Sequence, residues 1–224
     1  MKYKISDLEF CLDNPEDINY LYMPLVNEKI MDCITPNGHG DSKISQDCFL
    51  MEPVSIENLH SSMAARNFWC LMENDRAWSA MGYSAEQISR YGKKKEKSRV
   101  TAGPYWQRTE RENTELGIAA SVLAFCPVGQ ERVEILVVTL ENRGEEAMEL
   151  VPVAAVPIYG RGADHIRDHR HVTSLLNRIE VEEDGVLVTP SMAFDERGHH
   201  KNQVSYGVFA REEYGEKPEG AIPF

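Results

Sequence analysis

The chain has 224 residues, 42% of them apolar and 27% charged, and 24 basic against 36 acidic side chains leave a net charge of −12. These proportions are ordinary for a globular chain and exclude a disordered, collagen-like or disulfide-scaffold polypeptide. The negative field disfavours a nucleic-acid partner, and no run reaches the ~20 apolar residues that a membrane helix needs.

The opening Met1-Lys2-Tyr3-Lys4-Ile5-Ser6-Asp7-Leu8 lacks the apolar core of a secretory leader. Cysteines stand far apart at Cys11, Cys33, Cys48, Cys70 and Cys126, without a Cys-x-x-Cys pair. That dispersed, odd set fits reduced thiols, so the expected setting is cytoplasmic.

Taken along the chain, strand signals outnumber helix signals. Residues 67–72 and 77–81 read as short strands. Ser84-Ala85-Glu86-Gln87-Ile88 offers a capped turn of helix. Lys93-Lys94-Lys95-Glu96-Lys97 reads as a solvated loop. Residues 116–125 form the next strand candidate. Val133-Glu134-Ile135-Leu136-Val137-Val138-Thr139-Leu140 is the strongest, rich in β-branched residues. A polar turn at residues 141–146 leads into 148–158, where Pro152 and Pro157 predict an edge or bulged strand. Residues 172–179 carry Leu175, Leu176 and Ile179 at helix-like spacing, and 186–188 and 204–209 are again strands. Many short strands separated by turns predict an all-β chain, a large antiparallel β-sandwich with few short helices. The sandwich is expected over residues 1–211, with 212–224 as a tail or the start of a linker.

The densest polar stretch is Gly160-Arg161-Gly162-Ala163-Asp164-His165-Ile166-Arg167-Asp168-His169-Arg170-His171, three arginines, two aspartates and three histidines in twelve positions. Two glycines and a preceding strand end place it on a loop, where binding residues are often carried. Arginine forks beside aspartates suit a polyhydroxylated or anionic ligand; an internally paired salt-bridge loop is the plainer reading. His165, His169 and His171 have spacings that metal ligands use, but the neighbouring arginines oppose a cation and no His-Glu-x-x-His pattern occurs, so no metal is expected. His199-His200 reads as surface. The carboxylates Glu180, Glu182, Glu183, Asp184, Asp195 and Glu196 read as solvated, and no catalytic residue is assigned. Arg66-Asn67-Phe68-Trp69 and Pro104-Tyr105-Trp106-Gln107 set rings beside hydrogen-bonding groups. Such pairs can stack on a sugar, although core packing is the expectation for at least two of the three tryptophans.

Several longer motifs carry a family resemblance. They are Tyr22-Met23-Pro24-Leu25-Val26-Asn27-Glu28, Ile34-Thr35-Pro36-Asn37-Gly38-His39-Gly40-Asp41, Phe49-Leu50-Met51-Glu52-Pro53-Val54-Ser55 and Asn58-Leu59-His60-Ser61. Ala65-Arg66-Asn67-Phe68-Trp69, Trp78-Ser79-Ala80-Met81-Gly82-Tyr83-Ser84-Ala85, Ala155-Val156-Pro157-Ile158-Tyr159-Gly160-Arg161 through Val172, and Phe194-Asp195-Glu196-Arg197-Gly198-His199 continue them. In this order they resemble the N-terminal region of the cellobiose and cellodextrin phosphorylase family, over residues 20–209.

The resemblance implies a supersandwich of the galactose-mutarotase-like type, followed in the family by a helical linker and an (α/α)-barrel. Such enzymes cleave β-glucosidic bonds with inorganic phosphate as co-substrate and no other cofactor, inverting the anomeric centre to give α-glucose 1-phosphate. Their general-acid aspartate and phosphate-binding residues lie in the barrel. This chain ends where the linker is expected, so it is expected to be inactive alone. Its role would be to brace a catalytic barrel, support a homodimer, and lend a loop to a pocket for a β-linked gluco-oligosaccharide. The candidate substrate-binding residues are Arg161, Asp164, Arg167, Asp168, His169, Arg170 and His171. A stand-alone carbohydrate-binding module is the alternative; a metal-dependent sugar enzyme is a third.

Overall fold

The computed structural model describes residues 2–4, 8–15, 21–59, 62–74, 76–82, 96–167, 177–191 and 203–211. In chain order the strands are β1 (Lys2–Lys4), β2 (Glu9–Asp13), β3 (Met23–Val26), β4 (Met31–Ile34), β5 (Ser42–Ser45), β6 (Cys48–Met51), β7 (Asn67–Met72) and β8 (Arg76–Ser79). They continue with β9 (Glu96–Gly103), β10 (Trp106–Asn113), β11 (Ile118–Phe125), β12 (Ile135–Asn142), β13 (Leu150–Ala155), β14 (Asn177–Val181), β15 (Gly185–Pro190) and β16 (Tyr206–Phe209). One turn of 3-10 helix spans Ala163–Arg167. Among the described residues no helix is long and apolar enough to cross a membrane.

The strands form a six-stranded sheet in the order β1-β2-β9-β10-β11-β12, a four-stranded sheet β3-β4-β5-β6, and two three-stranded sheets, β13-β7-β8 and β14-β15-β16. All pairings are antiparallel. Strand β11 shows why the layers form. Its residues Ile118, Ala120, Val122 and Ala124 alternate onto one face and join one apolar cluster with Leu25 of β3, Ile34 of β4, Cys70 of β7 and Trp78 of β8. The six-stranded sheet therefore backs on both the four-stranded sheet and the β13-β7-β8 sheet, and the fold is the all-β, sandwich-like architecture the sequence predicts.

The expectations for 67–72 and 148–158 match β7 and the edge strand β13. Two expectations are corrected. Residues 177–179, the described end of the helix-like stretch 172–179, belong to β14, with Ile179 paired with Val188 and 63% exposed rather than on a helix. Glu96 and Lys97 open β9 rather than closing a loop; Lys97 is exposed, as expected, but the Glu96 side chain is buried beside Arg111. The helical turn at 84–88, residues 93–95, 171–176 and 192–202, and the 212–224 tail lie outside the described residues. Trp78 and Trp106 are buried, as expected for core tryptophans.

A tight glycine turn joins the two layers. Between β4 and β5 the chain folds on itself through Thr35 N to His39 O (2.7 Å) and Gly38 N to Thr35 O (3.0 Å). It docks on the chain entering β7 through Gly40 N to Ala64 O and Arg66 N to Gly38 O, both 2.9 Å. From the other layer, Gln107 Nε2 donates to Thr35 O (3.0 Å) and Thr109 Oγ1 to Pro36 O (3.2 Å). Gly40 has φ +140°, and a Cβ there would stand 2.0 Å from the Cys33 carbonyl oxygen. Gly40→Ala is therefore expected to destabilise the fold by about 2–4 kcal/mol, against less than about 1 kcal/mol for Gly144→Ala, whose Cβ would meet only the exposed Asn142 side-chain oxygen at 3.3 Å. Chemical denaturation of both variants checks the difference, and equal losses would contradict it.

Candidate functional site

Behind the glycine turn lies Arg66, only 1% exposed. A guanidinium carries five N–H donors and no acceptor, and all five are taken. Nε and Nη2 donate to the two Glu134 carboxylate oxygens at 2.6 and 2.5 Å. Nη1 donates to the carbonyls of Cys33 (3.2 Å) and Gly40 (3.0 Å), and Nη2 also to that of Asp41 (3.2 Å). Burial, the largest single influence, would lower the Arg66 pKa, but the acidic groups around it, Glu134 foremost, together raise it.

A second carboxyl stands in the same place. Asp32, on β4 and 3% exposed, accepts the Lys43 backbone N–H at Oδ1 (2.9 Å), while its Oδ2 is buried and, among the described residues, has no donor group against it. Its side chain is within hydrogen-bonding reach of the Glu134 carboxylate, and burial followed by that like charge pushes its pKa up to about 9. At neutral pH Asp32 therefore holds its proton and donates it toward Glu134, so one guanidinium is balanced by one charge rather than two.

The outer side of this network opens into a pocket of about 300 Å³. Its floor is Asp32, Cys33, Asp41 and Lys43; Tyr22, Met31, Val54, Ser55, Ile56 and Leu59 surround them. The Lys43 ammonium donates to Asp41 Oδ2 (3.1 Å) and lies 5.0 Å from the centre of the Phe49 ring. Cys33 Sγ donates to Asp41 Oδ1 (3.4 Å). The Cys33 thiol is pushed up to about 12 by burial and by the Asp41 charge, and burial lifts Cys70 to about 11. Both are thiols rather than nucleophilic thiolates at neutral pH, and none of the five cysteines is in a disulfide. Among the described residues no cluster of three or more His, Cys, Asp or Glu side chains is placed to hold a metal ion.

The described part of the arginine-, aspartate- and histidine-rich loop, residues 161–166, is placed elsewhere. Arg161 is 6% exposed and its backbone bridges to Phe49 (Phe49 N to Arg161 O, 2.8 Å), with its guanidinium 5.7 Å from the Tyr159 ring. Asp164 opens the 3-10 turn and is exposed; His165 is buried. None of these three lines the pocket. Arg167 has only its backbone described, and Asp168, His169, Arg170 and His171 lie outside the described residues, as do Asp195, Glu196, His199 and His200. Glu180, Glu182, Glu183 and Asp184 are exposed around the β14–β15 turn. Tyr105 is 54% exposed at the β9–β10 turn, while Trp106 is buried.

Asp32, Lys43 and Glu134 did not stand out in the sequence. Their signals are slight: a lone charge inside the apolar run Ile30-Met31-Asp32-Cys33-Ile34, and a glutamate inside the run beginning at Val133.

The proton on Asp32 has a consequence for stability. Between the ordinary carboxyl range near 4 and about 9, the folded chain binds one proton more than the unfolded chain, so this group's contribution makes stability fall as pH rises through that window. Asp32→Asn, whose amide donates to Glu134 without titrating, is expected to flatten the fall and to be at least as stable as the parent at pH 8.5. Glu134→Gln strands the Arg66 charge and is expected to cost about 3–5 kcal/mol. Denaturation from pH 5 to 9 checks both, and an unchanged slope in Asp32→Asn would refute the assignment. No protein-family model matches the chain, and no curated protein matches it.

Proposed function

We propose that the chain is a non-catalytic β-sandwich domain of an inverting β-glucoside phosphorylase, cytoplasmic, bracing a catalytic barrel and supporting a homodimer. The observation that carries the non-catalytic part is the placement of the buried carboxylates. Acid and base in a glycosidic-bond reaction stand roughly 5–9 Å apart with the substrate between them, whereas Asp32 and Glu134 are within hydrogen-bonding reach of each other in the interior. That pair neutralises Arg66 and leaves no room for a sugar between its members.

Two further features support a bracing role. Motifs that the resemblance draws from distant stretches, residues 34–41 and 65–69, meet in one network around Arg66. The outer face of the β13-β7 pair also exposes Leu71 (43%), Val151 (59%) and Val153 (36%), with Val151 opposite Leu71 and Val153 opposite Trp69. Adjacent exposed apolar side chains on one sheet face are what a packed neighbour would cover. The loop of Arg161, Asp164, Arg167, Asp168, His169, Arg170 and His171 is the segment proposed to reach a carbohydrate pocket, held at its base by the Phe49–Arg161 bridge.

The purified chain, incubated with phosphate and β-1,2-, β-1,3- and β-1,4-linked gluco-oligosaccharides, is expected to release no α-glucose 1-phosphate, and sizing chromatography is expected to show self-association. Appreciable glucose 1-phosphate from the chain alone, or a clean monomer at high concentration, would overturn this reading. The second reading, a stand-alone carbohydrate-binding module, is favoured instead if calorimetry finds an oligosaccharide bound more tightly than about 1 mM.

A further inference from the structure

Three of the exposed large apolar side chains gather around a single opening: Tyr22 at 48%, Met31 at 46% and Ile56 at 57%. Below them the floor is polar and already ordered. Lys43 is held by Asp41 and the Phe49 ring, and Asp41 by Cys33 and Lys43. The backbone beneath Asp41 is clamped by Arg66.

The charges of this floor cancel. Lys43 offsets Asp41, Arg66 behind them offsets Glu134, and Asp32 carries its proton. An anionic ligand would face Asp41, and a cationic one would face Lys43. Hydrogen-bonding capacity nevertheless remains. An ammonium has three donors and a carboxylate about four acceptor sites; among the described residues Lys43 spends one donor on Asp41, and Asp41 accepts at one site on each oxygen. A neutral molecule with adjacent hydroxyls fits both needs, because each hydroxyl donates and accepts at once.

The pocket volume of about 300 Å³ is at the small end for ligand sites, in keeping with one ring rather than a chain. We propose that this pocket binds a single uncharged sugar ring, with two neighbouring hydroxyls engaging Lys43 and Asp41 and a C–H face against Tyr22 and Met31. Residues 161–166, the part of the polar loop whose side chains are described, do not line this pocket, and the proposal does not rest on the phosphorylase reading. A chain that proves to brace no barrel would still hold the ring.

The test is saturation-transfer NMR on the full chain with methyl β-D-glucoside, glucose 1-phosphate and glucosamine, for the parent, Tyr22→Ala and Lys43→Met. Tyr22 is half exposed and is not among the described residues packed on the apolar cluster around Trp78, and an unchanged melting curve verifies that this variant is folded. Transfer from the neutral glucoside at millimolar affinity is expected, weakened about fivefold or more in Tyr22→Ala and in Lys43→Met, with both charged sugars binding more weakly than the glucoside. No transfer from the glucoside to the parent, equal transfer in folded Tyr22→Ala, or tighter binding of either charged sugar would each overturn the proposal. Should Lys43→Met fail to fold, Tyr22→Ala and the charged sugars still decide it.

Discussion

A guanidinium sealed inside a protein must find an acceptor for every N–H it carries, and Arg66 does so by gathering acceptors from four residues in three stretches of chain. It takes carbonyls from the end of β4 and from two residues of the glycine turn, and a carboxylate from Glu134 at the lead-in to β12. Losing any of these leaves a buried donor unmet, a larger penalty than the bond contributes when made. The geometry of the turn follows from that demand. Carbonyls at residues 33, 40 and 41 converge on one side chain only if the chain reverses within a few residues, which is where the positive φ of Gly38 and Gly40 enters. Much of what surrounds the pocket is thus fixed by one buried cation.

The same cation explains why a carboxylic acid persists in the interior. Two carboxyl groups beside one guanidinium leave an excess negative charge unless a proton is retained, and the more buried, less compensated Asp32 is the group that retains it. The pocket floor is neutral because of this local balance, even though the chain as a whole is strongly acidic. Net charge and site charge are separate properties here, and only the former can be read from composition.

How much of the fold could be read from the residues depended on which strands were apolar. Strands β7, β11 and β12 declare themselves through apolar runs, and Pro152 correctly marks β13 as an edge. Strand β10 hides. Its inward positions Gln107, Thr109, Arg111 and Asn113 are all buried and polar, a pattern that resembles a solvent face when read alone. They are tolerable inside because other segments meet most of their polar atoms: Thr35 O for Gln107, Pro36 O for Thr109, and Glu96 of the neighbouring β9 for Arg111 and Asn113, while Gln107 Oε1 and Arg111 Nε have no partner among the described residues. The pocket was illegible for a similar reason. Lys43 and Asp41 are two residues apart, but Asp32 and Glu134 meet only once β4 lies across the lead-in to β12. The arginine-rich loop, in contrast, is conspicuous in sequence, yet its first arginine turns inward and anchors the loop to β6.

Pro152 has one more effect. Among the described residues β13 is the outer strand of its sheet, and Pro152 sits in its middle opposite Cys70. Because proline has no amide hydrogen, the ladder that another extended segment would build along this rail is broken halfway. The neighbouring apolar side chains can still be covered by a surface laid flat upon them. Face-on association is therefore open to this sheet, while edge-on growth into fibrils is hindered by a single imino acid.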